Sequence, residues 1–145
     1  MLEGFVQVST IGYHYVVEAS GCDAAVIGSP SRVQTALQDA ARRGHMDVKT
    51  SYFYRFSPSG VSGVLVLAES HMSVHTWPEE GYAAVDVYVC GEASEPEDAI
   101  DVLIAAFGAR HAHVTEIKRG VRDEDVYTHS FLSWDQQPDP SDGTV

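Results

Sequence analysis

A chain of 145 residues in which 44% of side chains are hydrophobic is long enough for one compact domain and too short for two. Its formal charge of -12 and pI near 4.7 exclude nucleic acid or an anionic membrane as the main partner, because an acidic surface repels phosphate, and favour a cationic substrate. No apolar run nears the roughly 20 residues of a spanning helix, and Met1 to Ile11 carries Glu3 without a basic region, so a cytoplasmic protein with no secretory signal is expected.

In chain order, Tyr13 to Ala19 is rich in β-branched and aromatic residues and ends in the turn cluster Ser20-Gly21-Cys22-Asp23, which predicts a first strand. Ser29-Pro30 offers a helix N-cap with proline at the first helical position, and Gly44 offers a stop after Arg42-Arg43. Between them Val33, Ala36, Leu37, Ala40 and Ala41 recur at helical spacing. Asp47 to Arg55 reads as a second strand, followed by the turn Ser57-Pro58-Ser59-Gly60. Val61 to Leu67 is almost continuously apolar, which suggests a strand covered on both faces.

A bend is expected at Glu69-Ser70, then a fourth strand, His71 to Trp77, with His71, Ser73, His75 and Trp77 on one face. Pro78-Glu79-Glu80-Gly81 turns the chain into Tyr82 to Cys90, where Ala84, Asp86, Tyr88 and Cys90 share a face. An antiparallel pairing of these two strands could set His75 near Cys90, a register that sequence alone leaves open. Pro96 opens a second helix with the apolar stripe Ala99, Ile100, Leu103, Ile104 and Phe107, and His111 to Lys118 is the last strand expected. The order β, α, β, β, β, β, α, β predicts an α+β fold with a mainly antiparallel sheet and two helices on one face. Residues 1-120 form the domain. Residues 121-145 read as an acidic C-terminal extension with its final ten residues disordered. Tyr127, Phe131, Leu132 and Trp134 interrupt that polar segment and could dock on the domain or on a partner subunit.

The stretch from Glu69 to Cys90 concentrates serines, histidines, a cysteine and carboxylates on consecutive strands. One reading is that these merely line the polar side of a sheet. A second is a metal site, from His71, His75 and Cys90 or from His111 and His113, since alternate strand positions can aim imidazoles at one ion. That reading lacks a tight Cys/His framework. A third is a serine or cysteine hydrolase, for which no Gly-x-Ser-x-Gly elbow is present. Of the two cysteines, Cys22 after the first strand reads as structural, and free thiols are expected in a reducing compartment.

A fourth reading comes from a longer pattern. Glu69-Ser70-His71, His75-Thr76-Trp77-Pro78-Glu79, Tyr82-Ala83-Ala84-Val85-Asp86-Val87 and Cys90-Gly91 together resemble the prokaryotic S-adenosylmethionine decarboxylase proenzyme family. The resemblance extends upstream through Arg55 to Gly63 and more loosely through Gly21-Cys22-Asp23, covering residues 11 to 120. It implies a chain that cuts itself before Ser70. Ser70 would attack the carbonyl of Glu69 to form an ester, helped by proximity equivalent to roughly 10⁵ to 10⁸ M and by bend strain of about 1 to 3 kcal/mol. Loss of the Cα proton of residue 70 would expel the Glu69 carboxylate, and hydrolysis of the dehydroalanine would leave a pyruvoyl group.

By the same matching His75 is implied as processing base, Ser62 as the serine that assists processing by hydrogen bonding near the reacting carbonyl, and Cys90 as proton donor in the decarboxylation. The pyruvoyl ketone would form a Schiff base with the substrate amine, so neither pyridoxal phosphate nor metal is implied. Phe56 and Trp77 match positions that contact the adenosyl portion, and Glu79 matches the carboxylate that binds the ribose hydroxyls. The implied fold is a two-layer α/β sandwich, the implied product is the aminopropyl donor of spermidine synthesis, and the implied assembly is a homodimer with active sites between protomers. Two alternatives stay open: a pyruvoyl-dependent arginine or ornithine decarboxylase, and an uncleaved, catalytically silent partner subunit.

Overall fold

The computed structural model describes residues 9-91 and 94-138. Its elements are β1 (Gly12–Ser20), α1 (Ala24–Ile27), α2 (Pro30–Arg43), β2 (Val48–Arg55), β3 (Val61–Leu67), β4 (His71–Trp77), a 3-10 turn (Pro78–Glu80), β5 (Tyr82–Cys90), α3 (Pro96–Ala106), β6 (His111–Asp123) and β7 (Val126–Gln136). The strands form one antiparallel sheet in the order β2-β3-β4-β5-β1-β6-β7.

The helices form where local chemistry allows. Ser29 caps α2 by accepting from the Arg32 amide at 3.3 Å, Pro30 opens the first turn and Gly44 ends the helix. Such a cap contributes about 1 kcal/mol. Glu97 and Asp98 in the first turn of α3 complement its dipole. The two helices pack on each other, and their apolar stripes share one core with one face of the sheet. That face is set by the two-residue period: Tyr15, Val17 and Ala19 from β1, Leu65 and Leu67 from β3, Met72 and Val74 from β4, Val85 and Val87 from β5, and Ala112 and Val114 from β6. Thr76 is the one buried polar residue on this side among the described residues. Its hydroxyl donates to the Ile27 carbonyl at 2.7 Å and accepts from the Val61 amide at 2.9 Å, tying α1 to the start of β3.

The antiparallel sheet with helices on one face is what the element order predicts, the α+β sandwich is the fold that the resemblance implies, and three details differ from the sequence-based expectation. First, β3 is covered on one face only. Val61, Gly63, Leu65 and Leu67 alternate inward, whereas Val66 is 41% exposed, so the continuous apolar run reflects an apolar open face as well as a core. Second, the last strand does not stop at Lys118. It continues past a register shift between Lys118 and Val121 to Asp123, and β7 returns beside it. The acidic run Arg122-Asp123-Glu124-Asp125 is the hairpin tip, where Glu124 takes a left-handed φ of 53°, and the aromatic residues that interrupted the polar reading form β7. Gly120 lies in the shift with φ 75°, and a Cβ there would stand 1.9 Å from the Thr10 carbonyl oxygen. Third, a short α1 joins the two helices. Of the final ten residues expected to be disordered, 139-145 lie outside the described residues.

Among the described residues no helix is long and apolar enough to cross a membrane.

Candidate active site on the open face of the sheet

The face opposite the helices carries the reactive side chains. Alternation places His14 and Glu18 of β1, Ser62 of β3, His71, Ser73, His75 and Trp77 of β4, and Tyr82, Asp86, Tyr88 and Cys90 of β5 on this face, as their partly exposed positions between buried neighbours show. The grouping of the β4 and β5 residues is the one the sequence pattern predicts.

Two clusters lie at opposite ends of the β4–β5 ladder. At one end the Ser62 Oγ and His75 Nδ1 are 2.9 Å apart, across the register pair Ser62↔His75. Beside them a hollow of 310 Å³ opens between Tyr52, Tyr54, Ser62, Val64, Ser73 and His75. Trp77, two residues on, stacks on Tyr82 with ring centroids 5.1 Å apart and planes at 21°, and meets Phe56 edge-on at 6.3 Å. Glu79 accepts a hydrogen bond from the Ser59 hydroxyl at 3.0 Å, which joins the turn after β4 to the loop that carries Phe56.

At the other end, the Glu69-Ser70 bend leads into β4. The Leu67 amide donates to the Ser70 carbonyl at 2.8 Å, closing the bend, and the Ser70 Oγ lies 3.4 Å from the His71 Nδ1. Neither Glu69 nor Ser70 takes a left-handed φ, so the bend does not hold the backbone strain expected of it in that form. Tyr88 stands opposite His71 in the register, with its ring edge-on to His71 at 5.9 Å and tilted to His14 at 5.5 Å. The Arg119 guanidinium lies 4.8 Å from the Tyr88 ring centroid. Cys90 follows two residues later, and both its Sγ and the Tyr88 hydroxyl fill the space that a side chain at Gly12 would take: a Cβ there would lie 3.1 Å from the sulfur and 3.0 Å from the oxygen. Burial raises the Tyr88 pKa, and the hydrogen bond and charge of Cys90 raise it further against the lowering effect of Arg119.

The register therefore overturns the expected closeness of His75 and Cys90. His75 pairs with Ala84, six residues before Cys90, which corresponds to about 20 Å of strand. The two-residue period puts both on one face, but the length of the turn decides where along the ladder they fall. Ser62 and His75 meet, and Ser70 and Cys90 share an end. Phe56, Trp77 and Glu79 gather beside the first pair.

Between the two ends His14 Nε2 is bonded to Asp86 Oδ1 at 2.9 Å, and Ser73 donates to the other carboxylate oxygen at 3.4 Å. The Tyr82 hydroxyl donates to Glu18, and that bond, with burial, pushes the Tyr82 pKa up to about 12. His14, Glu18, Tyr82 and Tyr88 were absent from the sequence-based set of candidates. Alternation along β1 carries a signal for the first two, since His14, Val16 and Glu18 share the face opposite Tyr13, Tyr15, Val17 and Ala19.

Of the suggested metal ligands, His71, His75 and Cys90 are spread along the ladder. His111 and His113 both reach Asp135, at 3.2 and 2.9 Å. Among the described residues no group of three or more His, Cys, Asp or Glu has the arrangement to hold an ion. Both cysteines are free: Cys22 is buried, its thiol pushed up to about 11 by burial, and Cys90 is half-buried. A larger hollow of 510 Å³ between α3 and the end of β7 lies on the helix side, away from these clusters.

A family model described as S-adenosylmethionine decarboxylase matches residues 13–120, which span both clusters. The chain belongs to the S-adenosylmethionine decarboxylase family. A protein of Pyrococcus furiosus named S-adenosylmethionine decarboxylase proenzyme is 55% identical over 137 residues, 94% of this chain and 99% of that protein. A bacterial protein of the same name, from Acetivibrio thermocellus, is 44% identical over 119 residues, covering 82% of this chain and 96% of its own length. The crystal structure of the adenosylmethionine decarboxylase from Aquifex aeolicus superposes with a TM-score of 0.74 at 35% identity, covering 81% of this chain and 98% of that one. The pyrococcal relative aligns along almost all of this chain, whereas the Aquifex structure leaves about a fifth of it without a counterpart.

Proposed function

We propose that this chain cleaves itself between Glu69 and Ser70 and then decarboxylates S-adenosylmethionine, supplying the aminopropyl donor for spermidine synthesis, as a homodimer. The observation that carries this reading is the separation of the two clusters on one open face. His75 lies five residues beyond Ser70 in β4, about 16 Å of strand, too far for one side chain to serve the other within a single sheet. Two copies packed face to face in antiparallel fashion would bring the Ser62–His75 end of one against the Ser70–Cys90 end of the other, giving two equivalent sites. Exposed Tyr52, Tyr54, Val66 and Phe131 give that face apolar area to bury.

In this reading the Ser70 Oγ attacks the Glu69 carbonyl, breaking the C–N bond as the C–O bond forms, so that the amide becomes an ester with a free amine on residue 70. His75, paired with Ser62, acts as the base that removes the Cα proton of residue 70, the Glu69 carboxylate departs, and water hydrolyses the resulting dehydroalanine, through its imine tautomer, to the pyruvoyl group with release of ammonia. The residues at position 70 fit a group made in place: the Ser70 hydroxyl faces a ring nitrogen of His71 on the partly exposed end of the open face, and the Cys90 thiol closes the same end. A pyruvoyl group there would supply the electron sink for loss of CO₂. The chain's own part is then to bind and to move a proton. Phe56 and Trp77 offer aromatic faces to the adenine and to the sulfonium charge, Glu79 accepts from the ribose hydroxyls, and the Cys90 thiol gives the proton that replaces CO₂. The negative formal charge of the chain favours approach of a cation.

Intact-mass analysis of the purified protein tests the first half. Fragments divided at Glu69/Ser70 are expected, and a single full-length species would refute self-processing and leave the silent-subunit reading. Release of CO₂ from S-adenosylmethionine, compared with arginine and ornithine, tests the second half, and preference for either amino acid would overturn the nucleoside substrate.

A further inference from the structure

We infer that Tyr82, anchored by Glu18, is the positioning residue that holds the Trp77 indole as the platform for the nucleoside part of the substrate. The inference rests on the reading of Trp77 given above and extends it to Tyr82, a motif residue with no role assigned so far, and to Glu18, which lies outside the motif. Trp77 and Tyr82 are direct partners in the β4–β5 register, as the last pair before the turn. Gly81 makes that pairing possible: its φ of 63° and the bond from its amide to the Pro78 carbonyl at 3.2 Å close the turn tightly enough for the two rings to face each other. The rings lie nearly parallel at 5.1 Å, so Tyr82 covers one side of the indole. Phe56 meets it edge-on. With Tyr82 stacked on one side of the indole, a planar base can stack on the opposite side, next to the tilted Phe56 ring.

The Tyr82 ring is itself fixed from the neighbouring strand. Its hydroxyl donates to Glu18 of β1, whose register partner in β5 is Ala84, two residues after Tyr82 on the same face. The raised Tyr82 pKa keeps that hydroxyl a donor throughout the neutral range. Trp77 on the turn, Phe56 on a loop held through Ser59 and Glu79, and Glu18 on a central strand thus form one assembly. A substrate such as ornithine has no planar group to stack on it.

The test uses the processed full-length enzyme and calorimetric binding of 5′-deoxy-5′-methylthioadenosine, a neutral nucleoside thioether that cannot be decarboxylated. Tyr82→Leu removes the stacked ring and is expected to weaken binding about tenfold and raise KM by a similar factor with kcat within about threefold, in keeping with the strength of an aromatic pair. Tyr82→Phe keeps the ring and loses the Glu18 bond, and is expected to recover most of that loss, ending about threefold weaker than the wild type, with Glu18→Gln no worse. Cleavage at Glu69/Ser70 should proceed in all three. Wild-type affinity in Tyr82→Leu beside a tenfold loss in Trp77→Leu would overturn the inference and leave the reading of Trp77 standing. Wild-type affinity in Trp77→Leu as well would overturn both. Should Tyr82→Leu fail to fold, Tyr82→Phe decides alone, and affinity and KM equal to the wild type would remove the Glu18 anchor.

Discussion

Ser62 and His75 meet through a 2.9 Å hydrogen bond at one end of the open face, while the Ser70 hydroxyl that they are proposed to serve lies at the other end of β4. If the two ends cooperate only between copies, complementation follows. His75→Ala alone should slow cleavage by about 10² to 10⁴-fold, the usual contribution of a general base, and Ser70→Ala alone should not cleave. When the two variants are co-expressed, the His75→Ala chains in mixed dimers should be cut, because their Ser70 faces the intact His75 of the other copy. Uncut His75→Ala chains in confirmed mixed dimers, read by intact mass, would place the base in the same chain as its serine.

The two cysteines should differ sharply in reactivity. Burial pushes the Cys22 thiol up to about 11, and its Sγ is held 3.6 Å from the Ala19 carbonyl, whereas Cys90 is half-buried at the end of β5. Iodoacetamide at pH 8 should therefore modify the Cys90 peptide first, by at least about tenfold, since the thiolate is the reactive form. Peptide mapping by mass spectrometry reads the order directly. Loss of decarboxylation in step with alkylation of Cys90 is the expected companion result.

Thr76 is completely buried and bonded at both ends of its hydroxyl, to the Ile27 carbonyl and the Val61 amide. Thr76→Val keeps the shape but leaves a buried donor and a buried acceptor unpaired, a loss of about 2 to 5 kcal/mol. Equilibrium denaturation in urea should show a lower midpoint with an unchanged slope. Ser59→Ala, which removes only a solvent-exposed bond to Glu79, serves as the contrast and should move the midpoint little.

Asp135 joins β7 to β6 by accepting from His113 and His111. The His113 hydrogen bond, followed by the charges of both histidines, holds the Asp135 carboxyl below its usual range. Because its folded pKa is depressed, the contribution is present above the ordinary carboxylate value of about 3.9 and is lost as pH falls through the lower folded value. Asp135→Asn should increase amide hydrogen exchange in β7 at pH 6, and the difference from the wild type should narrow as pH is lowered toward 3. A difference that stays constant with pH would assign the effect to packing rather than charge.

Much of the fold was legible locally. Ser29, Pro30 and Gly44 bracket α2 by capping chemistry, and the helix-spaced Val33, Ala36 and Leu37 are the residues it buries. The alternation through β4 and β5 correctly assigned His71, Ser73, His75 and Trp77 to one face and Asp86, Tyr88 and Cys90 to another stretch of the same face. The second hairpin strand was hidden because its eight residues from Val126 to Ser133 are exposed on both sides, so no inside-outside pattern marks them. What makes them a strand is pairing with β6, a non-local cause. The one-sided cover of β3 was hidden for the opposite reason: Val64 and Val66 are apolar on the open face too, and a strand with two apolar faces reads the same whether or not a second layer is present.

By itself, then, the sequence determined which side chains are available and which face of each strand they occupy, since both follow from composition and a two-residue period. Tertiary structure decided where along the sheet they fall. Register and turn length brought Ser62 to His75, separated His75 from Cys90, and set Tyr82 against Trp77 with Glu18 behind it. These distances depend on hydrogen-bonded pairing between strands that are remote in the chain, and no local propensity encodes them.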